Sequence, residues 1–63
     1  MDKIKRLNEL YQKTGINFKI STFWDAPITF KVIFNDYTYK DATFDTLEDG
    51  FDWLIEQYEN ESH

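Results

Sequence analysis

The stretch ITFKVIFNDYTYKD, residues 28–41, decides the fold. Ile28, Phe30, Val32 and Phe34 alternate with Thr29, Lys31 and Ile33, the period of two that a strand with one buried face requires. Asn35-Asp36 stands where a two-residue hairpin turn would fall, and Tyr37 to Asp41 returns as the next strand. With that turn, Phe34 faces Tyr37 and Val32 faces Tyr39 on the core side, while Lys31 meets Lys40 on the outer side. Like charges directly opposite are unfavourable unless that face is well solvated or binds something negative.

Upstream of this stretch the same period holds. Ile16, Phe18 and Ile20 alternate with Asn17, Lys19 and Ser21, and β-branched and aromatic residues continue to Trp24. Asp25-Ala26-Pro27 makes the turn into the following strand, since proline presets φ and lacks the donor a ladder needs. Before it, Asp2 caps a helix over about residues 3–14, in which Ile4, Leu7, Leu10 and Tyr11 recur at helical spacing and Thr14-Gly15 supplies the stop. At the other end, Asp45-Thr46-Leu47-Glu48-Asp49 carries two overlapping capping-box patterns. Leu47, Phe51, Leu54, Ile55 and Tyr58 then form the apolar stripe of a helix over about 46–60.

The order helix, strand, strand, strand, helix predicts one α+β domain over residues 1–63: a three-stranded antiparallel meander with both helices on one face. Phe30 is expected in its core. The open sheet face presents Asn17, Lys19, Ser21 and Phe23, then Thr29, Lys31 and Ile33, then Thr38, Lys40 and Ala42.

A chain of 63 residues buries only about 60% of its unfolded surface, so its core must be dense. The 19% aromatic content answers that need, because each buried ring removes on the order of 150–250 Å² from water. With no cysteine there is no disulfide, no thiolate metal site and no thiol nucleophile, which suits a reducing cytoplasm. No segment approaches the roughly 18 apolar residues of a membrane span, and the charged start is unlike a secretory signal. A cytoplasmic protein with no membrane partner is the expectation.

Charge is distributed unevenly. Residues 1–20 hold five bases and two acids, whereas residues 41–63 hold eight acids and no Lys or Arg, against a net charge of −5. On a helical wheel Glu48, Asp49, Asp52, Glu56 and Glu59 fall in one arc opposite the apolar stripe, and Trp53 lies on the flank beyond Gly50. Neighbouring acids at i and i+4 repel by a few tenths of a kcal/mol each, with no lysine on the helix to relieve them. Two readings follow: an ordinary solvated face, or an electronegative surface aimed at a basic groove with Trp53 as its aromatic anchor. The plainer reading of Trp53 is packing against the first helix or the sheet, with Gly50 permitting close approach.

Catalytic constellations are nearly absent. His63 is terminal, and Ser21 and Ser62 have no base beside them, so no enzyme and no cofactor is expected. Asp45, Asp49, Gly50 and Glu56 match four positions of a calcium loop, but Leu47 replaces a ligand and the helical stripe runs through the pattern, so no metal is expected. A helix-strand-strand-strand-helix order also occurs in double-stranded RNA-binding domains. Phosphate binding needs a basic footprint, and Asp45, Glu48, Asp49 and Asp52 occupy the start of the last helix, which argues against direct nucleic-acid binding.

From the Asp2-capped helix through the aromatic meander to the FDTLEDGFDWLIEQYENE helix, residues 44–61, the chain resembles small acidic proteins encoded by phages and mobile elements. Among these it is most similar to anti-CRISPR and other anti-defence inhibitors, in topology, size and charge. The resemblance implies a non-enzymatic inhibitor in the host cytoplasm that occupies a basic, nucleic-acid-binding surface of a defence or nucleic-acid-processing protein. Glu48, Asp52 and Glu56 advance by about 6 Å per four residues, comparable to the spacing of phosphates along a strand. Neutralising those three is expected to leave the fold intact or slightly more stable. The alternative is a structural module that oligomerises, as a homodimer for example, with the lysine-bearing sheet face of one copy meeting the acidic helix of another or two sheet faces pairing about a twofold axis.

Overall fold

The computed structural model describes residues 2–24, 26–35 and 39–61. Helix α1 (Lys3–Thr14) begins where the Asp2 carboxylate accepts from the N–H groups of Ile4 (3.0 Å) and Lys5 (3.4 Å). It ends at Gly15, whose φ of 73° lies in the left-handed region and whose N–H donates to the Tyr11 carbonyl at 2.7 Å. Strands β1 (Asn17–Phe23), β2 (Thr29–Asn35) and β3 (Lys40–Phe44) form one antiparallel sheet in sequence order, and helix α2 (Leu47–Glu61) follows. The architecture is the expected α+β meander.

Its third strand sits in a different register from the one the turn residues suggest. Phe34 pairs with Lys40, Val32 with Ala42 and Phe30 with Phe44, a slip of three residues from the expected pairing. An odd slip exchanges the faces of a strand. Lys40, Ala42 and Phe44 therefore turn toward the helices, and Asp41 and Thr43 turn outward. Tyr39, expected in the core, is 56% exposed and has a φ of 54°. Asn35, expected in the turn, is the last residue of β2 and pairs with Asn17, and Asp36, Tyr37 and Thr38 lie outside the described residues. The slip also removes the Lys31–Lys40 conflict: Lys31 now sits 3.6 Å from Asp41, across the outer face from its neighbouring strand.

The core gathers Leu7 and Leu10 from α1, Val32 and Phe34 from β2, and Leu54 and Tyr58 from α2, so both helices cover one sheet face. Tyr58 is its centre. Its ring meets Phe34 edge-on at 4.8 Å and Phe18 edge-on at 6.3 Å, the geometry that a ring quadrupole favours. Phe30 faces the helices but is only half-buried and stands outside this cluster, and Ile28 is exposed before β2 begins, so both expectations for the first half of that strand are corrected.

The Tyr58 hydroxyl donates to the Ile16 carbonyl, tying the end of α2 to the link between α1 and β1. Burial pushes this hydroxyl from the usual 10.0 up to about 12, with the nearby Tyr11 adding to the shift. A group whose folded-state value is raised contributes stability that is complete below pH 10 and is lost as pH climbs toward 12. We expect the melting temperature to fall over that window, and Tyr58→Phe to weaken the dependence. An identical alkaline profile in the two proteins would contradict this placement of the hydroxyl.

Candidate functional site: the acidic face of the second helix

Thr46 sets the start of α2, its hydroxyl accepting from the Asp49 N–H at 3.2 Å. Four residues on, Gly50 fixes the rotation of the helix over the sheet. It is buried, and a Cβ there would come 2.9 Å from a Val32 methyl and 3.7 Å from the Phe44 ring. With Gly50 against β2 and Leu54 and Tyr58 in the core, the polar residues of α2 divide between three directions.

Glu48, Asp52 and Glu59 lie beside α1. Lys3 bridges the first two, with its ammonium 2.8 Å from Glu48 and 2.7 Å from Asp52, and Arg6 reaches Glu59 at 3.6 Å and Glu9 at 3.8 Å. The hydrogen bond to Asp52, followed by that to Glu48, raises the Lys3 ammonium above its ordinary value. It is therefore charged throughout the neutral range, and its contribution to stability fades only in strongly alkaline solution. The unrelieved repulsion expected along the stripe is corrected here. The relief comes from the first helix, not from the second.

Asp49 and Glu56 are exposed, with no ion-pair partner among the described residues. On the remaining flank Trp53 is half-buried against Phe44, ring centroids 6.0 Å apart and tilted by 52°. It packs on the sheet while keeping part of its surface beside the acids. Glu61, on the last turn, lies 4.0 Å from Lys40.

The arrangement is an electrostatic surface. Among the described residues no group of three or more His, Cys, Asp or Glu side chains is placed to hold a metal ion. The stretch matching a calcium loop is helical from Leu47 onward, with Gly50 buried in the interface, so its carboxylates cannot curl around one ion. No helix among the described residues is long and apolar enough to cross a membrane.

Lys3 and Arg6 are what the sequence reading missed. Both bases belong to the positive N-terminal third, and placing the two helices side by side on one face already puts opposite charges in reach. Compared with protein-family models, curated proteins and solved structures, the chain matches none.

Proposed function

We propose that the protein is a small, non-enzymatic binding protein whose acidic α2 face occupies a basic surface on another protein. One observation supports this above others. Even where α1 supplies cations, the carboxylates form the outer layer: the Glu48 and Asp52 side chains are 74% and 56% exposed, whereas Lys3 between them is 25% exposed. With six carboxylates on α2 and two α1 cations beneath them, the surface stays electronegative.

The resemblance to phage and mobile-element inhibitors makes a nucleic-acid-binding surface the natural target class, blocked sterically and electrostatically. A net charge of −5 disfavours direct contact with nucleic acid for the same reason. Asp49 and Glu56 carry the largest share of recognition in this reading, because no partner within the described fold has to be given up when they dock. Glu48, Asp52 and Glu59 flank them, and Trp53 offers an aromatic edge.

The test is the variant Asp49→Asn/Glu56→Gln, which removes two charges and leaves the Lys3 and Arg6 bridges in place. Its melting temperature should match wild type, while capture of a basic protein from cell extract should be lost, and heparin should release that protein from the wild-type chain. Equal capture by variant and wild type would make the acid face a solvated surface only.

A further inference from the structure

Among the described residues no further strand pairs with either edge of the sheet, but the edges differ. β3 is five residues long with Lys40 and Asp41 at its start, whereas β1 runs seven residues with Lys19 as its one charge and with no proline or glycine. Natural edge strands are usually protected by charge, proline, a bulge or a covering element. β1 has no proline and, pairing in unbroken register with β2, no bulge, and Lys19 is its single charge.

Two further features belong to the same strand, one at each end. At its start an open groove of about 480 Å³ separates β1 from α1, lined by Ile4, Asn8, Tyr11, Asn17, Phe18 and Phe51 among others, with no charged side chain. Ile4 is 63% exposed on its rim. At the other end Trp24 is 79% exposed, next to the exposed Phe23 and Ile28. Continuing the alternation of Phe18, Ile20 and Thr22, Trp24 projects to the helix side of the sheet, the side on which the groove lies. Knob and groove are thus about 23 Å apart along one weakly protected edge.

We infer that the occupant of this edge is a second copy of the same chain, joined to β1 as an antiparallel strand about a twofold axis through Ile20. In that register Ile20 faces Ile20 of the second copy, Phe18 faces its Thr22, and Asn17 faces its Phe23. One step further, Trp24 of each copy comes level with Ile16 of the other, at the mouth of the groove. Lys19 meets Ser21, so no like charges oppose each other, and groove and knob are both uncharged. The contact is isologous and closes on itself, giving a six-stranded sheet and not a filament. It leaves Asp49 and Glu56 on α2 uncovered, and it stands apart from the reading of the acid face.

Mass in solution tests the pairing. From low micromolar to near-millimolar concentration the mass should rise from 7.6 kDa to twice that value, and added salt should not reverse the rise because the interface holds no ion pair. Trp24→Ala and Ile4→Glu alter exposed side chains, so each should melt like wild type and remain monomeric. Because the chain has no cysteine, the register can be read by mild oxidation. A mixture of Lys19→Cys and Ser21→Cys chains should form linked dimers faster than either chain alone. A wild-type mass of 7.6 kDa at every concentration, a dimer that survives in either surface variant, or no preference for the cysteine mixture would overturn the inference.

Discussion

Phe34→Ala should leave much of the protein unfolded at room temperature. Phe34 is fully buried, central in the sheet, and edge-on to Tyr58 at 4.8 Å, so truncation removes both its own burial and the support of the ring above it. Phenylalanine-to-alanine changes at such sites cost about 3–5 kcal/mol. Domains are stable by about 0.05–0.15 kcal/mol per residue, or roughly 3–9 kcal/mol for a chain of this length. Phe30→Ala should cost clearly less, because Phe30 is half-buried at the end of the strand and outside the cluster. Urea denaturation of the two variants gives the comparison. Equal losses, or a larger loss for Phe30, would contradict the position of the core along β2.

The second large effect is expected from adding atoms. Gly50→Val places a Cβ within 2.9 Å of a methyl of Val32, a stiff side chain that is itself fully buried and has no room to retreat. Overpacking of this kind costs about 1–3 kcal/mol, and the branched side chain brings the Phe44 ring into the conflict as well. Glycine is a poor helix former, by about 1 kcal/mol relative to alanine, so an exposed Gly50 would instead be improved by substitution. A Gly50→Val protein that melts at or above the wild-type temperature would show that α2 does not rest on β2 through this residue.

How much of this was legible in the sequence depends on whether a local signal had a competitor. Asp2 and Thr14-Gly15 mark both ends of α1 with side-chain and backbone chemistry that admits few alternatives, and the helix occupies the residues they define. Thr46 with Asp49 does the same for the start of α2. The third strand had two competing patterns. Tyr37 and Tyr39 alternate as well as Ala42 and Phe44 do, and Asn35-Asp36 suits a tight turn, so local reading selected the tyrosines. What decides the matter is non-local: with Phe44 inward, it meets Phe30 across the ladder and Trp53 from α2, and Asp41 outward meets Lys31. The opposition of Lys31 and Lys40 was the one warning available beforehand.

The acid face was legible as a pattern on α2, but its electrostatics were not. Ion pairs between α1 and α2 depend on how the helices lie together, and no spacing within either helix encodes that. Trp53 shows the same limit from the apolar side. Its place on the wheel allowed both an anchor and a packed ring, and its contact with Phe44 follows from the register that the turn residues hid.

Blockade of a basic nucleic-acid-binding surface by the acidic helix face can be read by competition. The basic protein captured by the wild-type chain is loaded with fluorescently labelled nucleic acid and titrated with wild type or with Asp49→Asn/Glu56→Gln. Wild type should displace the nucleic acid, less effectively as salt is raised because exposed charges are screened over about 8–10 Å, and the variant should displace little. A ternary complex in which protein and nucleic acid stay bound together, or equal displacement by wild type and variant, would contradict it.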